Sequence, residues 1–249
     1  MLIQNLPFIN KISFKANNDD KIVLKLPELK ADTFERTSDK PLYSESTFNT
    51  AAENVIESAR WDEPKESLTL IVDDNIIGST VGGVHSVEPT EEMKKILDNS
   101  DYQAVAVHSH TPSTSKGYAN PISLEDLLML ANHSGLSQVF AINPDGEYSM
   151  LKKIAPVEPI TFEVYNDCLK KLDNEMVNEL PNDLKQRYIN LKNELYMPGS
   201  MTGRIWTELR EIENSDAYKE ATVIGTHRFW EKYASSLGLE YKTNYLYLQ

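Results

Sequence analysis

Residues 103–126, QAVAVHSHTPSTSKGYANPISLED, carry the densest set of potential metal ligands in the chain. The run 103–107 is apolar and β-branched enough to form a buried strand, and alternation along a strand puts His108 and His110 on the same face. A loop with two prolines, a glycine and several hydroxyls follows. Ser123-Leu-Glu-Asp126 then opens a segment in which Leu124, Leu127, Leu128 and Ala131 recur at helical spacing, so Asp126 falls in a helix's first turn. Packed beside the strand end, that helix adds one carboxylate to two imidazoles. Three such ligands leave a tetrahedral ion its fourth position for water, as a metal-dependent hydrolase needs.

Two plainer explanations compete with this one. Five histidines in 249 residues would give about 0.1 H-x-H pairs by chance, so coincidence is a poor account. Ser123-x-x-Asp126 by itself is better explained as a helix cap, because a serine N-cap with an acidic residue three positions on resembles a capping box and suits the helix dipole. The two roles are compatible, since a first-turn side chain is held in a fixed direction, as a ligand must be.

Read together, Glu66, His108-Ser-His110 and Ser123-Leu-Glu-Asp126 resemble the JAMM motif of the JAB/MPN metalloproteases: an upstream glutamate, H-x-H closing a strand, and S-x-x-D opening a helix. The resemblance spans about residues 47–153, continuing past Gly135 through QVFAINPDGEYSML as strand, turn and strand. The sequence departs from the family pattern in a longer loop between His110 and Ser123, and in a proline displaced to Pro112. The resemblance implies an α/β (α+β) core with a curved, mostly antiparallel sheet flanked by helices. It also implies zinc held by His108, His110 and Asp126, with Glu66 as general base and Ser123 stabilising the oxyanion. Glu63 is the alternative base, because the small residues often found after the family's glutamate are replaced by Ser67, Leu68 and Thr69.

Composition bounds the function. With 25 basic against 38 acidic residues, a net charge of −13, the chain is ill suited to binding a phosphate backbone, and nucleic acid is not an expected partner. Cys168 stands alone, which excludes an internal disulfide or a cysteine-based zinc site and is compatible with a reducing compartment. The opening MLIQNLPFINKISFK lacks a basic region followed by an uninterrupted apolar core, and no run of about 18 apolar residues occurs, so a cytoplasmic protein without a membrane span is expected.

Three regions are expected. Residues 1–45 hold two β-like runs, 11–15 and 21–26, around the turn-forming 17–20, and then a polar linker. Residues 46–155 form the JAB/MPN-like core. It begins with a helix capped by Ser46 or Thr47 and striped by Ala51, Val55, Ile56 and Ala59, followed by a hairpin of 68–72 and 76–84. The loop 111–121 suits a mobile flap or a plain surface excursion equally. His133 and Gly135 read as the end of the helix that starts near Ser123. Residues 156–249 are mainly helical, with Phe229, Trp230 and Tyr233 read as core, His227 without a partner at ligand spacing, and 241–248 as a terminal strand.

The function that follows from the resemblance is zinc-dependent hydrolysis of a peptide or isopeptide amide, with removal of a ubiquitin-like modifier among the activities it allows. The substrate is then a protein or peptide, and the C-terminal helices offer a surface for a protein partner. Two alternatives stand beside it: a non-catalytic MPN-like interaction module, and a toxin-associated JAB-like zinc hydrolase acting on another substrate.

Overall fold

In the computed structural model of the protein, the described residues are 42–112, 120–155, 157, 160–195, 197 and 201–246. The expected hairpin within 1–41 and most of the loop 111–121 lie outside them. The elements run α1 (Glu45–Ala59), β1 (Ser67–Val72), β2 (Asn75–Val81), α2 (Glu91–Leu97), β3 (Ala104–Ser109), α3 (Leu124–Asn132), β4 (Leu136–Ile142) and β5 (Glu147–Lys153). They continue with α4 (Phe162–Glu179), α5 (Asn182–Leu195), α6 (Thr202–Glu213), α7 (Asp216–Tyr233) and β6 (Leu239–Tyr245).

One six-stranded sheet, in the order β2-β1-β3-β4-β5-β6, organises this mixed α/β chain. Every neighbouring pair is antiparallel except β3 and β4. The exception follows from connectivity, because α3 separates β3 from β4 and such a crossover returns the chain in the same direction. A two-residue turn at Asp73 and Asp74, both at positive φ, closes β1 onto β2 in the sense that matches strand twist. β6 comes from beyond residue 156, yet it hydrogen-bonds along the whole of β5 and completes the sheet.

Alternation sorts the side chains into two cores. Leu68, Leu70, Ala104, Ala106, Val139, Ala141 and Leu151 face α3, α4 and α7. Ile71, Val105, Val107, Phe140 and Ile142 face α1, whose apolar stripe is Phe48, Ala51, Ala52, Val55 and Ile56. His108 and His110 keep the parity of Ala104 and Ala106, so they emerge on the α3 side at the end of β3. The C-terminal helices add a third cluster around Tyr188, Leu191, Ile205, Leu209 and Ile212. At Gly225, α7 runs so close to α4 that an added Cβ would lie 2.5 Å from Met176 Cα. Among the described residues, no helix is long and apolar enough to cross a membrane.

The helix before β1 is capped by Ser44, whose Oγ accepts from the Thr47 N–H, and not by Ser46 or Thr47. Three hydroxyl residues stand within four positions there, and each satisfies the local capping chemistry. α2, capped by Thr90 with Glu91 and Glu92 in its first turn, was not expected.

Candidate metal centre

Three elements build the centre. The central strand β3 ends in His108-Ser109-His110, where pairing of Leu68 with His108 sets its register against β1. That register, continued two residues, places Glu66 opposite His110. Ser123 begins α3 with a reciprocal cap: Asp126 N–H donates to Ser123 Oγ at 3.2 Å, while the Ser123 N–H donates to Asp126 Oδ2 at 2.7 Å. Ser123 Oγ also donates to the same oxygen at 2.9 Å. The cap thus fixes one carboxylate oxygen and leaves Oδ1 facing the histidines.

His108 Nε2 lies 3.0 Å from His110 Nε2 and 3.1 Å from Asp126 Oδ1, and His110 Nε2 lies 3.8 Å from Asp126 Oδ2. These three side chains are at least 88% buried. Ligand atoms around a tetrahedral ion with bonds of ~2.0–2.1 Å are about 3.3 Å apart, so the group matches the spacing such an ion demands. Its protonation points the same way. His110 Nδ1 is 2.6 Å from the Asn120 carbonyl oxygen, which can only accept, so Nδ1 carries a proton and the neutral ring turns its Nε2 lone pair to the cluster. His108, His110 and Asp126 form the one group among the described residues with converging atoms that could hold a metal ion.

Burial works to raise the Asp126 carboxyl, but the imidazoles of His108 and His110 and the N–H of Ser123 outweigh it and hold it well below the ordinary carboxylate range. Glu66 behaves oppositely. Burial pushes it up to about 7, opposed by His110 and reinforced by Asp126, so its carboxyl feels both of these side chains while lying outside the converging group. Two carboxylates of one cluster are driven apart, the relation expected of a ligand and a proton carrier. His108 Nδ1 is buried without a partner among the described residues.

Glu66 is held by its backbone. Its N–H donates to Gly83 O and its carbonyl accepts from Gly82 N–H, both at 2.8 Å. The next residue, Ser67, donates its N–H to Ser109 Oγ at 3.0 Å and shares a hydrogen bond with Ser58 of α1. The middle residue of H-x-H thus pins the glutamate's strand. Glu63 is exposed in the bend after α1.

The remaining histidines have structural surroundings. His133 terminates α3, pairs with Asp98 at 2.6 Å and offers its carbonyl to Lys153 Nζ at 2.9 Å. His227 is 2.6 Å from the Tyr241 hydroxyl and 4.0 Å from Glu147, while His85 is exposed. Gly135 is not the cap of α3, which ends at Asn132 with His133 as an extended C-cap; its N–H donates instead to Leu97 O, and an added Cβ would meet Asn99 O at 2.3 Å.

Sequence reasoning missed the residues that hold the centre from behind. Asn120 acts through its carbonyl, which no residue type signals. Ser149 Oγ accepts from the Ile122 N–H, and Trp230 Nε1 donates to Ile122 O, each at 2.7 Å. An indole buried in a core needs an acceptor, and that requirement was the available signal for Trp230.

No family model, curated protein or solved structure matches the chain.

Proposed function

We propose that this chain is a zinc-dependent hydrolase of JAB/MPN type that cleaves a peptide or isopeptide amide. The observation that carries the reading is the convergence of His108 Nε2, His110 Nε2 and the Asp126 carboxylate, at 3.0, 3.1 and 3.8 Å from one another, with Glu66 beside them in a carboxyl pushed up to about 7. The nitrogen and carboxylate donors suit zinc, and their number leaves room for water.

When bound, zinc supplies a Lewis acid that acidifies water and polarises an amide carbonyl. The chain's residues do the rest. Glu66, with a carboxyl poised near neutral pH, takes a proton from the attacking water and delivers it to the leaving amine. His108, His110 and Asp126 hold the ion; Asn120 fixes the His110 tautomer, and Ser123 fixes the Asp126 carboxylate. Ser123 Oγ serves the oxyanion by giving up its bond to Asp126 Oδ2, so its two tasks alternate. The JAB/MPN family assignment rests on the order of these pieces, glutamate before β1, H-x-H closing β3 and S-x-x-D opening α3, and on their meeting in one place. Lone Cys168 suits action in a reducing, cytoplasmic setting.

The test begins with elemental analysis of the purified protein, which should show about one zinc per chain that His110→Ala and Asp126→Ala lose. A panel of peptide and isopeptide substrates should then be cut by the parent in a manner abolished by chelator and restored by zinc. Unchanged zinc in both variants removes the site. Zinc binding without chelator-sensitive cleavage favours an interaction module or another substrate class.

A further inference from the structure

We propose that Trp230, in α7, is a positioning residue for the ligand set: its indole N–H holds the link 120–123, which in turn holds His110 and Asp126. The inference rests on reading those side chains as ligands.

The link is short, and four of its backbone groups tie it to the site and to the scaffold. The Asn120 carbonyl accepts from His110 Nδ1 at 2.6 Å, and the Ser123 N–H donates to Asp126 Oδ2 at 2.7 Å. Between them, the Ile122 N–H donates to Ser149 Oγ and its carbonyl accepts from Trp230 Nε1, both at 2.7 Å. Pro121 brings no N–H. Two of these bonds grip ligand side chains and two grip the scaffold, one on β5 and one on α7.

Ile122 and Trp230 are completely buried, so water cannot replace their bond. Trp230 is fixed in turn by edge contact with Phe229 and by stacking on Tyr241 of β6. Ile122 lies two residues from the carbonyl that sets the His110 tautomer and one from the amide that orients Asp126. Movement at Ile122 therefore reaches both ligands, and small looseness behind a metal ligand costs affinity. The C-terminal helices, which carry none of the ligands, thus reach the link 120–123 through the Trp230 donor.

The decisive substitution replaces Trp230 with 3-benzothienylalanine, an indole isostere in which sulfur stands for the N–H, so that packing is kept and only the donor is removed. Trp230→Phe is the simpler companion. Zinc alone is the probe, titrated into metal-free full-length protein against a chromophoric chelator, with unfolding midpoints recorded alongside. The expected result is a zinc affinity weakened ~10- to 100-fold, the usual cost of losing a partner behind a ligand, in an isostere variant whose unfolding midpoint stays near the parent's. Parental affinity in the folded isostere overturns the proposal. If the parent itself takes up no zinc, the ligand reading fails, and the imidazole nitrogen shifts of His110 in the metal-free protein decide the positioning role. A move away from the single Nδ1–H tautomer in the isostere upholds it, and unchanged shifts overturn it. Should Trp230→Phe fail to fold, the isostere alone carries the comparison.

Discussion

Glu66→Gln separates proton transfer from metal binding and from folding in one variant. Burial raises the Glu66 carboxyl from 4.5 to about 7 in the metal-free protein, so the fold favours its neutral form. The stability this contributes is fully present below pH 4.5 and is lost as pH rises through about 7. The gap corresponds to about 3 kcal/mol at 1.36 kcal/mol for each pH unit, an upper bound because the chain relaxes around an ionised group. Glutamine keeps the size and stays neutral, so chelator-treated Glu66→Gln should be more stable than the parent at pH 8, and the two should converge towards pH 5. Urea unfolding of both proteins at intervals from pH 5 to 8.5 measures this. In the metal-loaded protein the same variant should retain zinc and lose ~10²- to 10⁴-fold in turnover, the typical value of a general base. A stability difference that does not change with pH would refute the burial argument. Full turnover with normal zinc would move the base elsewhere, with Glu63→Gln as the next variant.

Ser123→Ala removes both the cap and the hydroxyl on Asp126 Oδ2. It should cost about 1 kcal/mol of stability and weaken zinc binding ~10-fold or more; parental zinc affinity in chelator competition would limit Ser123 to capping. Gly225→Ala forces a Cβ to within 2.6 Å of Met176 N and should lower stability by roughly 1–3 kcal/mol, read as a lower urea midpoint; an unchanged midpoint contradicts the close α4–α7 approach. Burial lowers the Lys153 amine from 10.5 to about 8, so its contribution is present above pH 10.5 and lost as pH falls through 8. Lys153→Met should therefore gain on the parent between pH 9.5 and pH 7, by up to about 2 kcal/mol, and a constant difference between the two would refute this.

What the sequence made legible was whatever depends on spacing within one element. The two-residue period put His108 and His110 on one face, and Ser123-x-x-Asp126 placed a carboxylate in a helix's first turn, as the structure has them. Features set by distant residues were not legible. β6 pairs with β5 across more than 80 intervening residues, and a strand's partner is chosen by the sheet rather than by the strand. Trp230 could be read as core from its aromatic neighbours, but its acceptor, Ile122 O, is a backbone atom 108 positions away. α2 escaped because seven residues with only Met93 and Leu97 buried make too short a period to register. Ser44 was passed over because Ser46 and Thr47 offer the same chemistry two and three positions on.

The bond between Trp230 and Ile122 also has a place in time. The candidate ligands are translated by residue 126, whereas Trp230 follows about 100 residues later, which at ~5–20 residues per second is roughly 5–20 s. Throughout that interval the link that contacts His110 and Asp126 lacks one of its two scaffold grips. The candidate centre thus gains its second scaffold grip only once α7 has been synthesised.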